Sequence, residues 1–232
     1  MKEKVIIFDA STLITLAMNG LLEELKGLKK IFPGKFIITN EVKSEVIDRP
    51  IKIKRFELEA MKLQTLLDLK FLELPSVLGI QDSEISKETE VLMSIANTTF
   101  EGGGKSIHLV DSGEISCLAL SKILNEKKIM NIISVDERTI RMLCEKPENL
   151  KELFQKKLKV RINVEQKNYS HFQNFRFIRS CELLYVAYKK KVIRWKNKNI
   201  LDALLYGLKF KGCAISDEEI REIEKIDRNA LK

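Results

Sequence analysis

Val5-Ile6-Ile7-Phe8-Asp9-Ala10-Ser11-Thr12-Leu13-Ile14 and, far downstream, Ser134-Val135-Asp136-Glu137-Arg138 decide how this chain is read. In each, a short apolar run ends on an aspartate and passes into a helical pattern. An unbroken run of this length suits a strand buried on both faces, because an exposed face would force polar residues into alternate positions. Ile129–Val135 is the full run before Asp136, and Arg138–Cys144 reads as the helix after it.

Working outward, the first half repeats the same alternation. A helix is expected over Thr12–Lys30, a turn at Pro33-Gly34, a strand at Phe36–Ile38 and a helix over Glu41–Ile47, punctuated by Pro50. Helical patterns follow at Ile53–Leu69, Ser83–Thr99 and Ile115–Leu124, with a short strand between the first two at Phe71–Leu74. Gly102-Gly103-Gly104 reads as a loop, and Val160–Val164 as the last strand. Strands separated by helices imply a parallel sheet covered by helices, since parallel neighbours need crossover connections. The final third changes character, with helices expected at Cys181–Lys190, Ile200–Lys211 and Asp217–Ile226. Gly212 is placed to end the second of these, and Ser216 with Glu219 to cap the third. The organisation expected is an α/β domain over residues 1–164 and a helical extension over residues 165–232 packed on it.

Composition bounds the function. The 232 residues are 44% hydrophobic and 32% charged, and mean hydropathy is −0.13. No apolar run approaches the roughly 18 residues needed to span a bilayer. Lys2 and Lys4 precede an apolar stretch, as in a leader peptide, but Asp9 interrupts it after four apolar residues and no small-residue cleavage site follows. Cys117, Cys144, Cys181 and Cys213 are too widely spread for zinc-ligand spacing and are expected as free thiols, which points to the cytoplasm and away from a membrane. Lys plus Arg outnumber Asp plus Glu by 41 to 33, a net charge of +8. That surplus suits a polyanionic partner, because neutralised phosphates release counterions; a lysine-rich solvated surface gives the same count.

The acids are the chemical signal. Asp9 and Asp136 each follow a strand, and Glu45 lies in the helix after the second strand. Asp111 and Glu114 open the helix before the Asp136 strand. In an open parallel sheet, ligands bind outside the carboxyl ends of the strands, so these residues are expected along one edge. Two like charges about 4 Å apart cost roughly 4 kcal/mol at an effective dielectric of 20, so converging carboxylates call for a cation. Oxygen donors without His or Cys select Mg²⁺ or Mn²⁺, and such an ion activates water for phosphodiester hydrolysis. Each acid also has an ordinary reading: an N-cap for Asp9, a capping box for Asp111 and Glu114, a solvated face for Glu41 and Glu45. An Asp-x-Asp phosphatase is excluded, because the third position is Ser11.

Four segments in order resemble the PIN-domain family. Val5–Ile14 resembles its opening strand, with Asp9 as the first acid and Ser11 as a hydroxyl two places on. Thr39-Asn40-Glu41-Val42-Lys43-Ser44-Glu45-Val46 resembles the second motif, whose acid is Glu45. Asp111-Ser112-Gly113-Glu114-Ile115-Ser116-Cys117-Leu118-Ala119-Leu120 is similar to the Gly-Glu helix, whose acid is Glu114. Ser134–Arg141 is similar to the last motif, in which Asp136 is the ligand. The resemblance covers residues 4–164, with a fainter similarity to a prokaryotic subgroup through Cys181–Val192 and Ile200–Ile223. It implies a three-layer α/β/α fold with a central, mostly parallel sheet, Mg²⁺ or Mn²⁺, and cleavage of single-stranded RNA. On that footing Asp9, Glu45, Glu114 and Asp136 are the catalytic acids; Asp9, Glu114, Asp136 and Asp111 hold the metal; Ser11 and Ser134 orient the acids. The chain is longer than the compact toxin members, and Glu165–Phe177 reads as an insertion. A non-catalytic RNA- or protein-binding module, and a toxin paired with an antitoxin-like protein, are the alternative roles; a homodimer is a further expectation.

Arg138 and Arg141 are placed to contact phosphate, or else to form salt bridges on a helix surface. Lys189, Lys190, Lys191, Arg194, Trp195 and Lys196 form the densest basic segment around the sole tryptophan, a pattern that can hold a single strand by charge and stacking. The same segment also reads as a cationic helix end followed by a turn with Trp195 packed inward. His108 and His171 receive no catalytic assignment.

Overall fold

The computed structural model describes residues 3–229; Lys2, part of the leader-like reading, lies outside them. In chain order the elements are β1 (Lys4–Phe8), α1 (Ala10–Met18), α2 (Leu22–Ile31), β2 (Lys35–Ile37) and α3 (Asn40–Lys43), followed by a π-helical turn over Ser44–Asp48 and a 3₁₀ turn over Pro50–Lys52. Then come α4 (Glu57–Asp68), α5 (Asp82–Asn97), β3 (Phe100–Gly102), β4 (Lys105–Ser106), α6 (Ser112–Glu126) and β5 (Met130–Ser134). The chain continues through α7 (Arg138–Glu145), α8 (Pro147–Leu158), β6 (Ile162–Val164), β7 (Phe177–Ile178), α9 (Ser180–Lys189), α10 (Ile200–Phe210) and α11 (Asp217–Asn229).

Four strands form a parallel sheet in the order β2-β1-β5-β7, with helices on both faces, so the fold is a three-layer α/β/α sandwich. β1 and β5 are its centre, paired over five residues from Lys4 with Met130 to Phe8 with Ser134. Val5, Ile7 and Phe8 are buried to 1% or less, which is why both faces of β1 had to be apolar. Phe8 packs against Phe36 of the neighbouring strand β2, with ring centroids 5.0 Å apart and the rings tilted by 60°. No helix among the described residues is long and apolar enough to cross a membrane. All four cysteines are free, three of them buried and Cys144 partly so.

Several expectations need correction. The helix expected over Thr12–Lys30 is two helices, because Gly20 adopts φ +67° and the chain turns between α1 and α2. Phe71–Leu74 contributes one parallel bridge, Ile37 with Glu73, rather than a strand. The loop expected at Gly102–Gly104 is present at Gly103 and Gly104, whose φ of +62° and +77° make the two-residue tip of a hairpin between β3 and β4, while Gly102 ends β3. The strand expected at Val160–Val164 exists as β6, but it pairs antiparallel with β3 in a second, three-stranded sheet. The fourth strand of the main sheet is β7, within the segment expected as helical extension. Residues beyond 164 therefore complete the sheet, and α9 packs on α1 and α2.

Candidate active site

The order β2-β1-β5-β7 reverses direction between β1 and β5: after β1 the chain crosses to one side, and it later returns on the other. This is the switch point of an open parallel sheet, where a crevice opens beyond the strand ends. Register places Phe8 opposite Ser134, so Asp9 and Asp136 leave neighbouring strands almost level.

Asp9 is the N-cap of α1. Its Oδ2 accepts the Ser11 N–H at 3.0 Å and the Ser11 hydroxyl at 2.5 Å, while its own N–H donates to the Ser134 carbonyl at 2.9 Å. Ser11 Oγ also accepts the Asp136 N–H at 2.9 Å. One hydroxyl thus ties both acidic segments together. Asp136 is fully buried, and its Oδ1 accepts the N–H of Ser180 at 2.7 Å. Its carbonyl accepts the Ala214 N–H at 3.3 Å, so the C-terminal third holds this acid from two directions.

Glu45 and Glu114 come from α-helical layers and need separate anchoring. Thr39 caps α3 through the Val42 N–H at 3.2 Å and meets Ser116 Oγ at 2.7 Å, and Ser116 donates to the Gly113 carbonyl at 2.6 Å. This buried chain fastens α3 to α6. Glu45 projects from the π-helical turn, a distortion frequent at functional sites because it widens one turn and re-aims a side chain. Its carboxylate rests on Gly113, where a Cβ would stand 2.5 Å from Glu45 Oε2. Glu114 accepts the Asp111 N–H at 3.1 Å, so its role in the capping box and its place at the crevice coexist.

The crevice has a volume of about 350 Å³ and is lined by Asp9, Glu45, Asp111, Glu114 and Glu137, with Ser11, Ile14 and His108 among its other walls; among the described residues no Lys or Arg lines it. Burial, reinforced by the charge of Asp136, holds the Asp9 carboxyl above the usual aspartate range, against the lowering pull of the Ser11 hydrogen bonds. Burial and the Asp9 charge push Glu114 up to about 8. Glu45 is raised by burial, then by Asp9 and Asp111. Asp9 Oδ1, Asp136 Oδ2 and the Ser180 hydroxyl are buried without a hydrogen-bond partner. Among the described residues, no three acidic, His or Cys side chains stand at ligand distance from one point. Even so, the chemistry of the site fits a hard divalent cation: only oxygen donors beside one exposed imidazole, no competing cation, and two orphaned carboxylate oxygens.

The structure thus brings Asp9, Glu45, Asp111 and Glu114 to one crevice, with Asp136 directly behind Asp9. Ser11 bridges the two aspartates, whereas the Ser134 hydroxyl is bonded to Thr12 Oγ1 at 3.2 Å in the core. Glu137 was not singled out from the sequence, and His108 was given no catalytic assignment. The paired acids Asp136-Glu137 were the signal for the first; His108 Nε2 lies 3.5 Å from Asp111 Oδ1, a partner three residues away. The basic segment lies elsewhere. α9 begins at Ser180 beside Asp136 and carries Lys189 about 14 Å away along its axis. There Lys189 pairs with buried Asp227 at 2.9 Å, and Arg194 pairs with fully buried Glu24 at 2.8 Å and lies over Trp195. Lys190, Lys191 and Lys196 are exposed, and Trp195 is 45% exposed rather than packed inward. Compared with protein-family models, curated proteins and solved structures, the chain matches none of them.

Proposed function

We propose that this protein is a PIN-like, Mg²⁺- or Mn²⁺-dependent endoribonuclease that hydrolyses single-stranded RNA. The observation that carries this reading is the crevice at the sheet's switch point, where carboxylates from separate elements of the chain meet without a counter-charge among the described residues and leave buried oxygens unsatisfied. The four-motif resemblance and the +8 charge support RNA as the substrate. Asp9, Glu114 and Asp111 would hold the ion, with Asp136 behind them and Glu45 opposite. When bound, such an ion lowers the pKa of a water and stabilises charge on the phosphoryl oxygens. Ser11 keeps Asp9 and the Asp136 backbone in fixed relation, and Gly113 keeps room for the Glu45 carboxylate. Glu45, raised in pKa and facing the crevice, is suited to hold or accept a proton of the attacking water. Asp9→Asn keeps the size and the capping geometry but removes the charge. It is expected to abolish Mn²⁺-stimulated cleavage of single-stranded RNA while the thermal transition is retained; undiminished cleavage would overturn the assignment.

A second reading, a nuclease restrained by an antitoxin-like protein, draws on one feature. An apolar hollow of about 480 Å³ shares Ile14 and Glu45 with the crevice and displays Met18, Ile53 and Phe56, each 39–48% exposed. A partner seated there would cover the acids. Growth arrest on expression, relieved by a co-expressed neighbouring gene product, is the expected sign of this role.

A further inference from the structure

α7 separates the acidic crevice from a second one of about 600 Å³. Arg138, Arg141, Met142 and Glu145 all line the second. Their spacing, i, i+3, i+4 and i+7, is a single face of a helix. Glu137 and Thr139, at and just after the N-cap, line the acidic crevice instead. The chain therefore turns from an acidic wall to a basic one across the first turn of α7, about 5.4 Å in length.

The cations of the second crevice differ in how they are used. Arg179 forms its floor and is already satisfied: it pairs with Glu182, with Glu219 at 2.8 Å, and donates to the Ala214 carbonyl at 3.0 Å. Arg141 makes only long contacts to the carbonyls of Glu137 and Ala214, at 3.4 and 3.5 Å. Among the described residues, Arg138, Arg141 and Lys146 line the crevice and none forms an ion pair, with Glu145 as the one opposing charge left after Arg179 and Glu219 cancel. In the basic segment at and beyond the end of α9, by contrast, Lys189 and Arg194 are each bound to a buried carboxylate. Between these two basic regions, the guanidinium groups left without a carboxylate partner are Arg138 and Arg141, beside the acids.

We infer that this second crevice is a phosphate subsite: Arg138, Arg141 and Lys146 hold a backbone phosphate of the RNA strand next to the one positioned at Asp9. Guanidinium groups suit this role because their planar donors grip phosphate oxygens in pairs. A strand crossing the first turn of α7 would place one phosphate over the acids and the adjacent one over the arginines. Ala214, Ile215, Ser216 and Glu219 also line the subsite and belong to the C-terminal third, which gives that region a part in substrate binding as well as in supporting Asp136. The inference rests on the nuclease reading for its substrate but not for its test.

The test is fluorescence anisotropy of a labelled 12-nucleotide single-stranded RNA with the full chain in EDTA, where no metal-dependent cleavage intervenes. Arg138→Ala/Arg141→Ala/Lys146→Ala is expected to weaken binding at least tenfold. It should also flatten the log affinity against log salt slope by about 0.7, the loss of one neutralised phosphate on a single strand. Lys190→Ala/Lys191→Ala is the control for net charge and is expected to weaken binding less than threefold. Wild-type affinity in the triple variant, or equal losses in both variants, would overturn the subsite. Arg138→Glu alone, on an exposed residue, gives the same discrimination should the triple variant fail to fold. Cleavage is scored separately with Mn²⁺. An inactive wild type whose triple variant still loses RNA sinks the nuclease reading and keeps the subsite. An active wild type whose triple variant binds and cleaves normally sinks the subsite alone.

Discussion

Glu114→Gln should remove a pH dependence of stability that the wild type carries. In the metal-free fold, burial and the neighbouring Asp9 charge raise Glu114 from 4.5 to about 8. In the unfolded chain it titrates near its ordinary value. Between those two values the native state holds a proton that the unfolded state has released, so stability is greatest below the lower value and falls as pH rises towards the upper one. The slope for one such group is about 1.4 kcal/mol per pH unit. From pH 5 to pH 7 the full shift corresponds to about 2.5 kcal/mol, and the partial solvent access of Glu114 lowers this to about 2 kcal/mol. For a chain of this size that is about 4–8 °C in Tm. The assay is thermal or urea unfolding of chelator-treated protein at pH 5, 6 and 7, for wild type and Glu114→Gln side by side. The difference between the two proteins should move by the stated amount in favour of the variant as pH rises. Asp9 and Glu45 are raised as well and remain in both proteins, so only the difference is diagnostic. A difference that stays constant with pH would falsify the claim that this carboxylate is buried among like charges. With Mn²⁺ in excess, the wild-type slope is expected to shrink.

Gly113→Ala is expected to cut RNA cleavage at least tenfold while Mn²⁺ affinity changes less and stability is kept. The new methyl would stand 2.5 Å from Glu45 Oε2, while alanine in helix α6 is intrinsically favoured by up to about 1 kcal/mol. A cleavage assay beside isothermal titration with Mn²⁺ and a melting curve checks each part. Arg194→Ala leaves the Glu24 carboxylate, 0% exposed, without its partner, and should cost about 2 kcal/mol in urea unfolding, less than a fully buried pair because the arginine itself is half exposed. Its RNA affinity should stay within threefold of wild type, since this guanidinium serves to join the C-terminal third to α2.

What the sequence determined was the centre of the fold and the identity of the acids. Val5–Phe8 is apolar on both faces, Ile129–Val135 is so but for Asn131 and Ser134, and a sheet covered by helices on each side buries such runs, so β1 and β5 were legible from the residue pattern. An aspartate after each then fell at the sheet's carboxyl edge. Local chemistry was legible too, as where Ser216 and Glu219 exchange backbone and side-chain hydrogen bonds at the start of α11. Tertiary structure alone decided the rest. β7 is two residues long and carries no period to detect; it is a strand because Ile133 and Val135 donate to the carbonyls of Arg176 and Ile178. Ile162–Val164 looked like any buried strand, and nothing in its residues could state that its partner is the antiparallel hairpin strand Phe100–Gly102. The burial of Glu24 against Arg194, 170 positions away, and the space that Gly113 leaves for Glu45 belong to the same class. Periodicity reports which face of an element is buried; which elements face one another, and therefore which charges meet, depends on contacts between residues that are distant along the chain.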